Sequence, residues 1–210
     1  MIPVILLTSG RTQYAVRTVK ALRQHLTPEP VFFVMDCSRN EKHWQTLRPY
    51  LANVGRYLFF LDKTSYGHMA NTGWREVQKN GYDWALFLED DWELCEPLDL
   101  SFAGTLMSRS DVSMLRLGHL PVGQAGEAVG IDGRMYLRLF PNDYVFSGNP
   151  HLKGTRFFNT YGQYLKGLNP GDTELAMDRG VKAVYQYDIL WPLFIGDRFI
   201  FQHIGTEKSY

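Results

Sequence analysis

Three acidic residues stand together at Glu89-Asp90-Asp91, directly after the apolar run Trp84-Ala85-Leu86-Phe87-Leu88. Adjacent carboxylates repel, and carboxylates at the end of a buried strand are costly unless a cation offsets them. Hard oxygen ligands favour Mg²⁺ or Mn²⁺, and either ion can bridge to a diphosphate. Side chains alternate along a strand, so Glu89 and Asp91 are expected on one side if the strand conformation persists. The competing reading is an exposed acidic turn, against which the apolarity of residues 84–88 speaks. Two more apolar runs end in polar groups, at Thr8-Ser9-Gly10-Arg11 and at Asp36-Cys37-Ser38. A carboxylate can accept from ribose hydroxyls or a base N–H, and Arg11 can neutralise a phosphate. Taken singly, Asp36 also reads as a helix cap and Ser9-Gly10 as a tight turn.

These groups share a rim only if the runs before them are neighbouring parallel strands. Val4–Thr8, Val31–Met35, Tyr57–Leu61 and Trp84–Leu88 are short apolar runs, the mark of strands covered on both faces. Helical spacing separates them. It runs through Tyr14, Val16, Val19, Leu22 and Leu26, then over about Glu41–Val54, then over His68–Lys79, where Asn80-Gly81 forms a C-terminal cap. Strands alternating with helices predict an α/β fold of the Rossmann-like kind: a mostly parallel central sheet, flanked by helices and joined by right-handed crossovers. In such a sheet, ligands bind beyond the carboxyl ends of the strands.

The second half is less regular and reads as a smaller, mixed region. Strands are expected at Ser113–Leu117, Met135–Phe140, Asp143–Phe146 and Val181–Tyr187, with a helix from near Asn169-Pro170 to Arg179. Gly118 to Gly133 is rich in glycine and reads as a loop or a hairpin with a mobile tip. One domain over 1–210 is expected, with about 1–95 and about 96–210 as its two halves.

The chain has 22 basic and 22 acidic residues and a formal net charge of zero, which gives no support to binding a polyanion by bulk charge. Its 12 Tyr, 13 Phe and 5 Trp are as able to fill a core as to stack on a sugar or base. Cys37 and Cys95 form neither a disulfide framework nor a metal-ligand pattern, and they read as reduced thiols of a cytoplasmic protein. Met1-Ile2-Pro3 opens without a basic leader, and no run is long enough for a transmembrane segment.

The order of these motifs resembles the nucleotide-diphosphosugar transferases of the GT-A fold, notably the large family 2. Thr8-Ser9-Gly10-Arg11 is similar to that family's first-strand turn, and Asp36-Cys37-Ser38 to the segment that holds base and ribose. Ala70-Asn71-x-Gly73 follows in the same order, and Glu89-Asp90-Asp91 looks like a Glu-Asp-Asp form of the Asp-x-Asp metal motif. The resemblance implies that Asp91 ligates Mn²⁺ or Mg²⁺, with Glu89 or Asp90 on ribose or on a metal-bound water. Downstream, Gly171-Asp172-Thr173-Glu174-Leu175 with Arg179-Gly180 is similar to the family's catalytic segment, although Gly171 replaces its first acid. Asp172 falls on the position of the base in inverting members. Asn169-Pro170-Gly171-Asp172 also suits a helix start. Gln202-His203-Ile204-Gly205 is similar to a C-terminal His-x-Gly whose histidine completes the metal site.

The implied activity is metal-dependent transfer of a sugar from a nucleoside diphosphate sugar, a UDP-sugar first, to an acceptor hydroxyl. The donor partner is thus the nucleotide sugar. The acceptor is a glycan, a small molecule, a protein or a modified nucleic acid, the last left open by Lys153 and Arg156 but given no support by the neutral overall charge. By the same resemblance, the stretch from Asn142 to Tyr164 builds the acceptor pocket. The 118–133 segment is either a lid that orders over the donor or an idle surface loop. Two other functions compete: a nucleotidyltransferase, for which Ser9-Gly10-Arg11-Thr12 is too sparse a phosphate loop, and a non-catalytic nucleotide-sugar-binding module.

Overall fold

The computed structural model describes residues 1–62, 64–119, 124–141, 144–195 and 200–205. Strands of the first half are β1 (Ile2–Thr8), β2 (Leu26–Thr27), β3 (Pro30–Asp36), β4 (Val54–Phe59) and β5 (Trp84–Glu89). Those of the second are β6 (Trp92–Leu94), β7 (Leu98–Asp99), β8 (Val112–Arg116), β9 (Gly126–Ile131), β10 (Arg134–Leu139), β11 (His151–Gly154), β12 (Asp188–Pro192) and β13 (Phe201–His203). The α-helices are α1 (Thr12–His25), α2 (Glu41–Leu47), α3 (Tyr66–Lys79), α4 (Ala103–Ser108), α5 (Thr155–Tyr161) and α6 (Pro170–Val184).

Nine strands make one sheet in the order β4-β3-β1-β5-β11-β8-β12-β10-β9. β4, β3, β1 and β5 are parallel neighbours, as are β8 and β12. Of the nine, β11 and β10 run against the rest. The sheet is therefore mixed but mostly parallel, as the alternating pattern predicts. Helices cover both faces, which is why the strands read as unbroken apolar runs. Val4, Leu6, Phe32, Val34, Leu86 and Leu88 join Ala15, Val19 and Leu22 of α1 in one core. Ile5, Leu7, Phe33, Met35 and Phe87 join Met69, Trp74 and Val77 of α3 in the other. Burying each large apolar side chain contributes roughly 1.5–3 kcal/mol, so slipping any of these strands by one residue would exchange the two faces at great cost.

Local chemistry sets the helix ends that matter for the site. Ser65 caps α3, its Oγ accepting from the His68 amide at 3.4 Å. Gly73 lets α3 lie close on the sheet, because a Cβ there would stand 2.6 Å from Ile5 Cγ2. Asn169 caps α6, accepting from the Asp172 amide at 2.8 Å, with Pro170 in the first turn.

Several expectations shift. The helix expected over 41–54 stops at Leu47 and continues as a 3₁₀ turn, Arg48–Tyr50, where Pro49 lacks an amide donor. The strand expected at 181–187 is instead the end of α6, and the strand comes later, as β12. Met177 and Val181, one turn apart, bury together against the sheet, and that packing outweighs the β-preference of the valines. The glycine-rich segment resolves into β9 and β10, paired as a hairpin. Asp132 and Gly133 turn it with φ of +48° and +76°, both left-handed as a tight hairpin turn requires. This hairpin lies at the opposite edge of the sheet from β4. Residues 120–123 of that segment, and residue 143 of the strand expected at 143–146, fall outside the described residues. Tyr144, Val145 and Phe146 carry no strand.

Candidate functional site

The carboxyl ends of β1, β3, β4 and β5 open into a cleft of about 1370 Å³. Thr8, Ser9 and Arg11 line it from β1, Cys37 from the end of β3, Phe59 and Phe60 from β4, and Glu89 from β5. The facing wall comes from Tyr66, His68 and Met69 of α3 and from the segment Lys166–Pro170 that leads into α6. Each of the three predicted strand ends thus sends at least one residue to this cleft, while Gly10, Asp36, Ser38, Asp90 and Asp91 do not line it.

Two of the three adjacent acids have divergent roles. β5 ends at Glu89, so the strand alternation that would set Glu89 and Asp91 on one side does not carry further. Asp90 turns inward and is fully buried. Its Oδ2 accepts from Thr8 Oγ1 at 2.6 Å and from the Ser9 amide at 3.1 Å, and its Oδ1 takes Arg11. Burial raises its carboxyl, while Arg11, Thr8 and Ser9 oppose that shift. Both carboxylate oxygens of Asp90 are therefore engaged, and its role is to hold the β1 turn rather than to meet a ligand. His43 extends the same chain. Its Nε2 lies 2.9 Å from Thr8 Oγ1 and its Nδ1 2.7 Å from Thr12 Oγ1. Because the single Thr8 hydroxyl proton goes to Asp90, His43 donates from Nε2. Gly10, with φ of +96°, makes the turn possible, and a Cβ there would meet Ser38 at 2.8 Å.

Asp91 is different. Its Oδ2 receives Arg11 Nη1 and lies 3.1 Å from His203 Nε2, whereas its Oδ1 is buried without a hydrogen-bond partner. β13 pairs antiparallel with β6 so that His203 stands opposite Trp92, and the Ile204 amide donates to the Asp91 carbonyl at 2.8 Å. Gly205 permits this approach, since a Cβ there would come within 2.3 Å of Asp91 Oδ2. His-x-Gly and Asp91 are brought together across more than a hundred residues of chain. Among the described residues no group of three His, Cys, Asp or Glu side chains forms a ready metal cage. A small divalent ion usually takes one or two protein ligands and fills its other positions with water and substrate oxygens. The orphaned Asp91 Oδ1 beside an imidazole suits that mode, and a nitrogen ligand suits Mn²⁺ as well as Mg²⁺.

Glu89 lines the cleft with no hydrogen bond to its carboxylate from any described residue. Burial, then Asp91 and Asp90, push it up to about 8. It can therefore carry a proton near neutral pH and serve a ligand either as donor or as acceptor.

The remaining predicted residues are more withdrawn. Asp36 is fully buried, accepting from the Ser38 amide at 2.7 Å and from the Tyr57 hydroxyl, whose ring stacks on Trp44. Ser38 Oγ turns to the Asn40 backbone. Asn71 is buried and clamps the Tyr164 backbone, donating to its carbonyl at 2.9 Å and accepting from its amide at 3.0 Å. Asp172 is exposed and accepts from Asn169 Nδ2 at 2.6 Å, just past the stretch Lys166–Pro170 that walls the cleft. Glu174, two residues further, points inward and takes the Tyr144 hydroxyl on Oε1. Neither cation that left a nucleic-acid acceptor open is free at the surface. Arg156 donates to the carbonyls of Arg109 and Val112, and Lys153 is completely buried.

Sequence reasoning missed Lys166, Tyr66 and Glu174 as cleft or near-cleft groups. Lys166 and Tyr66 sit in no motif, and only the fold brings the 164–170 segment against α3. Glu174 was visible inside the Asp172 segment, and its spacing two residues on gave it the inward face.

No protein-family profile matches the chain, and no curated protein matches it by sequence. Among the described residues, no helix is long and apolar enough to cross a membrane. Solved structures do share its fold. A mannosyltransferase, PcManGT from Pyrobaculum calidifontis, determined with GDP-Man and Mn²⁺, superposes with a TM-score of 0.63 at 12% identity, covering 91% of this chain and 54% of that one. TarS 1-349 from S. aureus with UDP-GlcNAc gives 0.60 at 13% identity, over 98% of this chain and 61% of that one. The same protein with UDP gives 0.56 at 12% identity, over 91% and 60%. The chain thus spans between half and two thirds of these proteins, and what it has in common with them is the α/β fold of nucleotide-sugar glycosyltransferases.

Proposed function

We propose that the protein is a metal-dependent glycosyltransferase that moves a sugar from a nucleoside diphosphate sugar, a UDP-sugar first, to an acceptor hydroxyl with inversion. The observation that carries this reading is the corner where Arg11, Asp91 with its orphaned oxygen, and His203 meet at the ends of parallel strands, beside a cleft of about 1370 Å³. Asp91 and His203 would hold Mn²⁺ or Mg²⁺, which as a Lewis acid offsets charge on a departing diphosphate. Arg11 and Lys166 bring positive charge to the same cleft and stabilise that leaving group electrostatically. Ser9, Gly10 and Ser38 shape the rim on which base and ribose would lie, Thr8, Asp36 and Asn71 hold it from below, and Glu89 offers a carboxyl to a sugar or ribose hydroxyl.

Asp172 is assigned as the base that takes the acceptor proton. It stands in the first turn of α6, where negative charge is favoured, at the edge of the cleft wall. Its present bond to Asn169 is a cap that an incoming hydroxyl would replace. A cytoplasmic setting suits the two unpaired thiols, Cys37 and Cys95.

The test is incubation with UDP-, GDP- and dTDP-sugars, with and without Mn²⁺, while released nucleotide is measured. Release that needs both a donor and the metal supports the reading, and its absence with every donor contradicts it. Asp172→Asn is expected to keep donor binding and lose turnover by about 10²-fold or more. Full turnover in that variant would remove Asp172 from the chemistry, and donor binding without turnover in the wild type would favour a binding module.

A further inference from the structure

Beneath the cleft lies a lysine where an apolar residue would be expected. Lys153, on the central strand β11, is completely buried. Its amine sits 4.2 Å from the ring centre of Phe87 and 4.1 Å from that of Tyr164, with Phe146, Phe157 and Phe158 at 4.9–5.2 Å. Its hydrogen bond goes to the Tyr164 hydroxyl. Burial holds the amine well below the usual lysine range, and no carboxylate touches it. A methionine in this cage would lose nothing to desolvation, so the lysine is a cost to folding.

That cost is not needed to hold the Tyr164 backbone in place. Asn71 already fixes the Tyr164 backbone through both its amide and its carbonyl. Gly67 packs so close to the next residue that a Cβ would stand 2.2 Å from the Leu165 carbonyl oxygen. What the Lys153 bond adds is the placement of the Tyr164 side chain. That ring meets the ring of Tyr66 edge-on, with centres 5.7 Å apart. Tyr66 lines the cleft. The titratable groups facing this column are His151 on the same strand, then Glu89 from β5 and Glu174 from α6, beyond the tyrosine pair.

We propose that Lys153 is a positioning residue: by holding the Tyr164 side chain it sets Tyr66, packed edge-on against that ring at the cleft floor, where Tyr66 contacts the sugar being transferred. The contact with sugar rests on the transferase reading, whereas the Lys153–Tyr164–Tyr66 coupling does not. Gly148 keeps the cleft end of the column open. A Cβ there would reach Glu174 Oε2 at 2.9 Å and the Tyr66 hydroxyl at 3.8 Å.

The experiment compares Lys153→Met, Tyr164→Phe and Tyr66→Phe with the wild type in donor turnover, thermal midpoint and ¹³Cε NMR of lysine. Lys153→Met is expected to melt at or above the wild-type midpoint while kcat falls at least about tenfold and donor KM stays within about threefold. Tyr66→Phe should show the same loss, and the Lys153→Met, Tyr66→Phe double variant should be no worse than either alone, as for groups acting in one chain. The Lys153 ¹³Cε signal should titrate below the range of a solvated lysine and should move in Tyr66→Phe. Unchanged kcat in Tyr66→Phe or in Tyr164→Phe overturns the proposal, even if Lys153→Met fails to fold. If no donor is turned over, the transferase reading fails by itself, and the NMR decides: a signal titrating like a solvated amine, unmoved by Tyr66→Phe, overturns the coupling.

Discussion

Some of the most deeply buried polar groups of the two halves sit in different surroundings. In the parallel half, Asp36, His43, Asn71 and Asp90 are buried with their polar atoms engaged. In the mixed half, Lys153 sits among aromatic rings and His151 has a buried Nε2 without a partner, while Arg116 and Asp178 are engaged by backbone groups. Satisfied groups build a rigid rim, whereas under the proposed function groups held at an energetic cost would mark where substrate chemistry is prepared. Asp91 stands at the junction, one oxygen engaged and one orphaned.

The largest structural effect should come from breaking the satisfied side. Asp90→Ala strands Arg11, Thr8 and the Ser9 amide around a fully buried position, and is expected to cost about 2–4 kcal/mol. Chemical denaturation measures it, and an unchanged midpoint would mean that the rim does not depend on its network. A smaller effect, of opposite sign, is expected in the mixed half. An unfolded lysine binds its proton below about pH 10.4, whereas folded Lys153 resists it until lower pH. The unfolded chain therefore binds more protons in that window, so wild-type stability rises with pH relative to Lys153→Met. The slope approaches about 1.4 kcal/mol per pH unit between the folded value and about 10.4, and it vanishes on either side. Parallel stability curves for the two proteins would show that burial does not hold the amine neutral. Least of all should come from Arg109→Ala, which removes an exposed pair with Asp111. It should leave the melting midpoint almost unmoved, and a clear shift would mean that Arg109, which also lies 3.9 Å from Asp132, joins a surface network that contributes to stability.

The same division explains what was legible in the sequence. Buried parallel strands announce themselves as apolar runs, so β1, β3, β5 and the rim at Thr8–Arg11, Asp36 and Glu89–Asp91 could be placed before any coordinates. β11 could not, because His151 and Lys153 break its apolar pattern, and those two residues are what make it unusual. α6 was cut short by the same kind of ambiguity: Val181 to Val184 suits a strand by composition and a helix by packing. The partners of individual acids were also invisible. Three adjacent carboxylates look alike in a sequence, yet Asp90 is a structural anchor, Asp91 holds an unfilled oxygen, and Glu89 faces the cleft. Only the approach of β13, permitted by Gly205, distinguishes Asp91 from its neighbours.

Calorimetric titration of UDP and GDP into wild type and Asp91→Asn, each with and without Mn²⁺, tests the junction most directly. The account predicts that Mn²⁺ tightens binding of one nucleoside diphosphate to the wild type at least about tenfold, about 1.4 kcal/mol, and that Asp91→Asn abolishes this gain while its fold persists. Binding that is indifferent to Mn²⁺ in the wild type, or equally Mn²⁺-dependent in Asp91→Asn, would contradict it.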